Sequence, residues 1–181
     1  AEARAARAEA SIRRVGLNPR LMMAKLDRNS AQGGPLLALT KGGEAVDPRF
    51  ARLGASLSRM SARERGLAAI PSHLPASLEF ISSGFGYRSD PFTGEAAMHS
   101  GLDFRGPMGA PIHAAADGTV SFAGTKAGYG NCIEISHGNG LVTRYAHMSA
   151  FKARVGQGVV AGDIIGAIGS TGRSTGPHLH F

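Results

Sequence analysis

From Leu78 onward this chain of 181 residues becomes a series of short apolar runs bounded by glycine, and that pattern limits its fold more narrowly than any other feature. Gly118 to Gly124, Asn131 to Ser136, Leu141 to Met148 and Asp163 to Ile168 each have the length and apolar content of a strand. Gly138-Asn139-Gly140 lies between the second and third runs, where a hairpin needs residues that tolerate positive φ. Turns this frequent predict a compact, mainly β, mostly antiparallel structure.

The first 70 residues follow a helical pattern instead. Ala1 to Arg14 is rich in Ala, Arg and Glu with few large apolar residues, as at the exposed end of a long helix or coiled coil. Asn18-Pro19 supplies an N-cap and a proline at the first helical position, opening a short helix through Leu21, Met22 and Leu26. Asp47-Pro48 repeats the device. Behind it Phe50, Leu53, Leu57, Met60 and Leu67 form a heptad-like stripe broken by Glu64, which reads as a packing face and not as a cofactor site. Gly33-Gly34-Pro35 reads as a loop and Ile70 to Pro75 as a linker, with His73 exposed between its two prolines. The chain thus divides into a basic helical region at 1–70, a linker at 71–80 and a β domain at 81–181.

Residues 1–75 carry 13 Lys and Arg against 6 Asp and Glu, while the remainder carries 7 of each, so the whole net charge of +7 belongs to the helical region. Nucleic acid is not the expected partner, because no aromatics are interleaved with the arginines and no phosphate-binding glycine loop accompanies them. The excess reads as solvated helix faces or as attraction to an anionic membrane or wall surface. No apolar stretch approaches the roughly 18 residues of a membrane helix. The chain does not begin with Met and stops on a motif residue, so it reads as an excerpt of a longer precursor. Cys132 has no second cysteine to pair with and no His or Asp beside it, and reads as a buried structural thiol.

The chemistry-bearing side chains lie in the neutral half. His99 and Asp103 are four apart, and Gly101 with Gly106-Pro107 argues against a helix; in one extended strand an even separation places both on one face. His147 closes the second hairpin strand. His178 and His180 share a strand face in His178-Leu179-His180. A carboxylate among several imidazoles suits a borderline ion such as Zn²⁺. A catalytic zinc keeps three protein ligands and an open position, so five candidates leave two histidines to move protons and steady an oxyanion. His113 reads as facing solvent or capping a loop, His137 as making a side-chain-to-backbone bond at the turn, and Asn131 and Arg144 as structural.

The order His99/Asp103, His147, His178/His180 matches H-x-x-x-D, an intervening His, then H-x-H. It resembles the lysostaphin-type (LytM-like) zinc metallopeptidases, which cut peptide bonds in bacterial peptidoglycan. The likeness runs from about Ser83-Gly84-Phe85-Gly86-Tyr87-Arg88 to Phe181 and includes Gly128-Tyr129-Gly130-Asn131, Val155-Gly156-Gln157-Gly158 and Gly162-Asp163-Ile164-Ile165-Gly166. The resemblance implies a small lysostaphin-like (duplicated hybrid motif) β barrel. It also implies one zinc ion held by His99, Asp103 and His180, with His147 and His178 lining the open position, either of them serving as general base.

The branch that cuts glycine bridges often has a tyrosine shortly before the first ligand His, where this chain has Phe92-Thr93-Gly94-Glu95. That departure, with the basic helical N-terminal region, points to D-amino-acid cross-links of the Gram-negative type. It further implies a periplasmic, inner-membrane-anchored protein whose membrane segment and the rest of the His180 strand lie outside this sequence. An envelope or divisome protein is the partner expected at the helices. The helix from Asp47 to Leu67 is a candidate gate beside or across the groove. Rival readings are a non-hydrolytic relative that activates another wall hydrolase, and a phosphocarrier or swinging-arm domain, which would not require Asp103.

Overall fold

The computed structural model describes residues 7, 9, 10, 12–14, 16, 18–21, 48–77, 81–138 and 140–181. The chain forms two compact units, Ala1–Ala68 and Ala69–Phe181.

In the first unit the principal element is helix α1, Pro48–Ala68. Proline suits the first turn because an N–H there has no intrahelical acceptor. The Arg63 guanidinium donates to Glu9 Oε1 at 2.6 Å and ties α1 to the helical segment that carries the fully buried Ile12. Asn18 Oδ1 accepts from the N–H groups of Arg20 and Leu21 at 3.0 and 3.4 Å, the capping geometry that its position predicts.

The packing face of α1 differs from the expected stripe. Leu57 is 50 % exposed, whereas the small residues Ala62 and Gly66, one turn apart, are buried. Small side chains allow close approach, and that outweighs apolar bulk here. Met22, Leu26, Gly33-Gly34-Pro35, Asp47 and the side chains of Phe50 and Leu53 lie outside the described residues. No described helix is long and apolar enough to cross a membrane.

The second unit is mainly β. Its strands are β1 (Ile81–Ser83), β2 (Gly86–Ser89), β3 (Ala96–His99), β4 (Asp103–Arg105), β5 (Pro111–His113), β6 (Gly118–Lys126), β7 (Gly130–Ser136), β8 (Val142–Tyr145), β9 (Ala150–Phe151), β10 (Gly158–Val159), β11 (Ile164–Ala167) and β12 (His178–His180). They form sheets ordered β1-β4-β12, β10-β6-β7-β8, β5-β11-β9 and β2-β3. Every pairing among them is antiparallel.

The core is one cluster that includes Phe104, Ile112, Val120, Ile133, Ile135, Tyr145, Met148, Ile165 and Leu179. Ile133 and Ile135 show the period-two alternation of a pleated strand, and Leu179 does the same between two histidines. Turning Leu179 inward therefore turns His178 and His180 to the opposite face. Truncating a buried leucine of this kind costs about 2–5 kcal/mol.

Buried polar groups within this core are paired. Tyr145 Oη accepts the Ala115 N–H at 2.8 Å and lies 3.0 Å from Thr143 Oγ1, which in turn lies 2.9 Å from His137 Nε2. His137 Nδ1–H donates to the Asp117 carbonyl at 2.6 Å, the side-chain-to-backbone bond expected of it. His113 Nδ1–H donates to the Gly162 carbonyl at 2.9 Å, so it caps a loop instead of facing solvent. His73 is exposed, its ring edge-on to His113. Cys132 is fully buried, and burial pushes its thiol pKa up, as for an inert packing residue.

Candidate metal and catalytic site

Strand β12 joins the sheets. It pairs with β4 in the register His178↔Arg105 and His180↔Asp103, and the Ala146 N–H beyond β8 donates to the His180 carbonyl at 2.9 Å. His180 and Asp103 are thereby cross-strand neighbours on one face.

His99 reaches the same point by a different route from the one its spacing suggests. It ends β3 while Asp103 begins β4, and the chain bends between them at 100–102. The two side chains meet because the backbone bends between two strands, and not because one strand carries both. The turn residue matters: a Cβ on Gly101 would lie 2.7 Å from His180 Cε1 and 2.6 Å from the Phe181 carbonyl oxygen. Only glycine leaves the His180 imidazole its place.

The donor atoms converge tightly. His99 Nε2 is 3.0 Å from Asp103 Oδ1 and 3.1 Å from His180 Nδ1, and His180 Nδ1 is 2.9 Å from the same carboxylate oxygen. His99 Nδ1–H donates to the Gly84 carbonyl at 2.7 Å, which leaves Nε2 with its lone pair directed at Asp103. Lone pairs facing each other across 3 Å repel unless a cation or proton is shared between them. Two imidazole nitrogens and one carboxylate oxygen at this separation fit a Zn²⁺ ion, and all three ligand atoms lie within 4.8 Å of one another. Burial alone would raise the Asp103 pKa, but the hydrogen bond with His180 and the charges of His99, His178 and His180 outweigh it and hold the carboxyl below its ordinary value.

His147 and His178 stand beside this triad. Their ring centroids are 4.7 Å apart, and His178 Nε2 lies 3.8 Å from Asp103 Oδ1. Both rings are oriented by backbone: His147 Nδ1–H donates to the Thr171 carbonyl at 2.7 Å and His178 Nδ1–H to the Gly176 carbonyl at 2.8 Å. Each therefore presents an unprotonated Nε2.

Among the described residues His147 is the one non-glycine with a positive φ, 60°. Such a conformation costs of order 1–3 kcal/mol and persists where the surroundings enforce it. Here its N–H donates to the Tyr129 carbonyl at 2.9 Å, and the loop against it needs Gly130, where a Cβ would lie within 2.5 Å of Thr171. Burial lowers the His147 pKa, and the nearby His178 and His180 add to that; the bond to the Thr171 carbonyl and the negative charge of Asp103 oppose it.

The five residues open onto a groove of two lobes, of about 260 and about 590 Å³, which share Asp103, Thr175 and His178. Arg88, Phe92, Tyr129 and Arg173 line the smaller lobe. Sequence reasoning passed over Arg88, Gly101, Tyr129 and Thr171 as site components; Arg88 and Tyr129 fell within the quoted motifs, but nothing local marks what they touch. Asn131 and Arg144 stay outside the groove lining. Asn131 Nδ2 donates to the Met148 carbonyl, while Arg144 pairs with Glu134 at 2.7 Å and stacks on Tyr129.

Residues 97–181 match the model of Peptidase family M23. The catalytic domain of lysostaphin from Staphylococcus simulans is 38 % identical, with 56 % of this chain and 77 % of that domain covered and a TM-score of 0.52. The chain belongs to peptidase family M23. The crystal structure of a zinc-containing peptidase from Vibrio cholerae is 39 % identical, with 60 % of this chain and 35 % of that one covered and a TM-score of 0.55. The DD-carboxypeptidase/endopeptidase Mpg of Neisseria meningitidis serogroup B is 52 % identical over 101 residues, which is 56 % of this chain. This chain spans 23 % of the length of Mpg. The lysostaphin-like fold expected from the motif order is thus shared with the lysostaphin catalytic domain.

Proposed function

We propose that this M23 domain is a zinc-dependent endopeptidase that hydrolyses D-amino-acid peptide cross-links of bacterial peptidoglycan. The observation that carries the reading is the convergence of His99 Nε2, Asp103 Oδ1 and His180 Nδ1 within about 3 Å of one another, with two more imidazoles presenting bare Nε2 atoms beside them. A non-hydrolytic relative would lack ligands, and all five positions are filled here.

In this proposal His99, Asp103 and His180 hold one zinc ion. When bound, zinc supplies Lewis acidity, polarising a carbonyl and bringing the ionisation of water toward neutral pH. The chain's own residues supply the rest. His147 or His178 takes the proton from the attacking water as general base. The other, when protonated at Nε2, donates a hydrogen bond to the tetrahedral oxyanion, and the imidazolium formed on the base passes its proton to the leaving amine. The Thr171 and Gly176 carbonyls fix both rings, so neither must reorient during the reaction.

The bond class rests on two points: Phe92-Thr93-Gly94-Glu95 fill the stretch in which glycine-bridge enzymes often have a tyrosine before the first ligand, and Mpg, 52 % identical, is named for DD activity. We place the protein in the periplasm or cell envelope, with the basic helical region serving membrane association and an envelope or divisome partner. Product analysis tests the reading. Digested Gram-negative peptidoglycan should show loss of cross-linked dimers with uncleaved glycan strands; products cut in glycan, or intact dimers, would overturn it.

A further inference from the structure

Arg88 lies on β2, opposite Ala97 of the strand that ends in His99. Its guanidinium enters the groove, yet almost nothing engages it. Nη2 stands 3.6 Å from Asp103 Oδ2, too far for a hydrogen bond, and Nη1 meets the Ser89 carbonyl only at 3.4 Å. Nε is buried and is the one such side-chain nitrogen or oxygen without a hydrogen-bond partner among the described residues. The neighbouring cations are spent elsewhere: Arg173 makes a two-pronged pair with Asp90 and covers Phe92, and Arg144 is held by Glu134.

We propose that Arg88 is the specificity-determining residue of the groove, and that it receives a carboxylate of the substrate, the free α-carboxylate next to the amide to be cut. The inference rests on the peptidase reading of the site and deepens it. A guanidinium presents its two Nη groups as a planar fork that matches a carboxylate bidentately, and in Arg88 both are held only at long range, Nη1 at 3.4 Å from the Ser89 carbonyl and Nη2 at 3.6 Å from Asp103 Oδ2. Burying an unmet charged donor is costly, so an incoming anion that satisfies both is favoured over a neutral amide of the same shape. The position also suits the purpose. Asp103 gives Oδ1 to the ligand cluster, so an anion on Arg88 sits beside the reacting centre and not on it.

The test is a binding measurement on the zinc-loaded chain. The probes are an acetylated D-alanyl-D-alanine analogue whose scissile amide is replaced by an uncleavable methyleneamine, as the free acid and as the C-terminal carboxamide. The native chain should bind the acid about tenfold more tightly than the carboxamide, and Arg88→Ala should bind the two alike. Arg88→Lys should recover part of the preference. Arg105→Ala, which removes a cation from the other lobe, should keep it whole. A preference that survives Arg88→Ala, an absence of preference in the native chain, or loss of bound zinc in Arg88→Ala would each overturn the proposal, the last by making Arg88 a mere support for Asp103. A chain that cleaves peptidoglycan without preferring the acid keeps the peptidase reading and loses this one. A chain that prefers the acid through Arg88 yet cleaves no peptidoglycan keeps this one and loses the other.

Discussion

His180 faces Asp103 directly across the β4–β12 ladder, with Nδ1 2.9 Å from Oδ1, and the pair is held there by reciprocal backbone bonds of 2.8 Å between Leu102 and Phe181. The neighbouring bend at Gly101 brings His99 onto the same oxygen. Backbone pairing, more than side-chain packing, therefore places the ligand set.

Gly101→Ala should weaken zinc without altering any ligand. Its Cβ would press on the His180 ring at 2.7 Å and on the Phe181 carbonyl, and forcing a methyl into a packed site costs about 1–3 kcal/mol. Zinc affinity and thermal midpoint should both fall. Native zinc affinity in this variant would show that the ring moves freely and that the bend is not a constraint.

The acid limb of kcat/KM should fall below the ordinary imidazole value of about 6.5. Burial lowers the His147 pKa, and a base must be unprotonated to act. The neutral form thus survives further into acid than an exposed histidine would, and activity drops only as pH falls through the depressed value. A limb at or above the ordinary value would contradict a buried histidine as the titrating base.

His137 should make stability depend on mildly acidic pH. Burial lowers its pKa below the ordinary imidazole value of about 6.5, so below that value the unfolded chain binds the proton more readily than the folded one. The sign follows: the stability is present above the ordinary value and is lost as pH falls through the depressed folded value. In urea melts, the advantage of the native chain over His137→Gln should shrink as pH is lowered from 7 to 5. An advantage that grows on acidification would invert the assignment.

Asp90 and Arg173 should matter to substrate binding more than to stability. The bidentate pair, at 2.8 and 2.9 Å, links the β2–β3 connection to the loop before β12 at the rim of the smaller lobe, and Arg173 holds the Asp90 pKa down at about 2. The pair therefore stays ionised across any working pH and is lost only as pH falls toward that value. The Arg173 side chain is half exposed and solvent screens the pair, so Asp90→Asn should change the thermal midpoint little while raising KM several-fold. An unchanged KM would assign the pair no role in the groove.

The parts legible in the sequence were those set by local period. Alternation along His178-Leu179-His180 states which residues share a face, and the glycine-bounded runs mark β6, β7, β8 and β11 within a residue or two at most ends. His99 and Asp103 were found as a pair for the wrong geometric reason, since period cannot reveal that the chain bends from one strand into another between them. Arg88, Tyr129 and Thr171 owe their places to contacts 15 to 51 residues distant, with Asp103, His180 and His147. On α1 the heptad stripe pointed to Leu57, while burial chose Ala62 and Gly66 because close approach favours the small side chains.

The most direct test of the account is the metal content of the purified chain read alongside its wall-degrading activity. The account predicts about one zinc per chain, cross-link cleavage that a chelator abolishes and added zinc restores, and loss of both metal and cleavage in Asp103→Ala and in His180→Ala. Full cleavage by either variant, or by the chelated and metal-free chain, would contradict it.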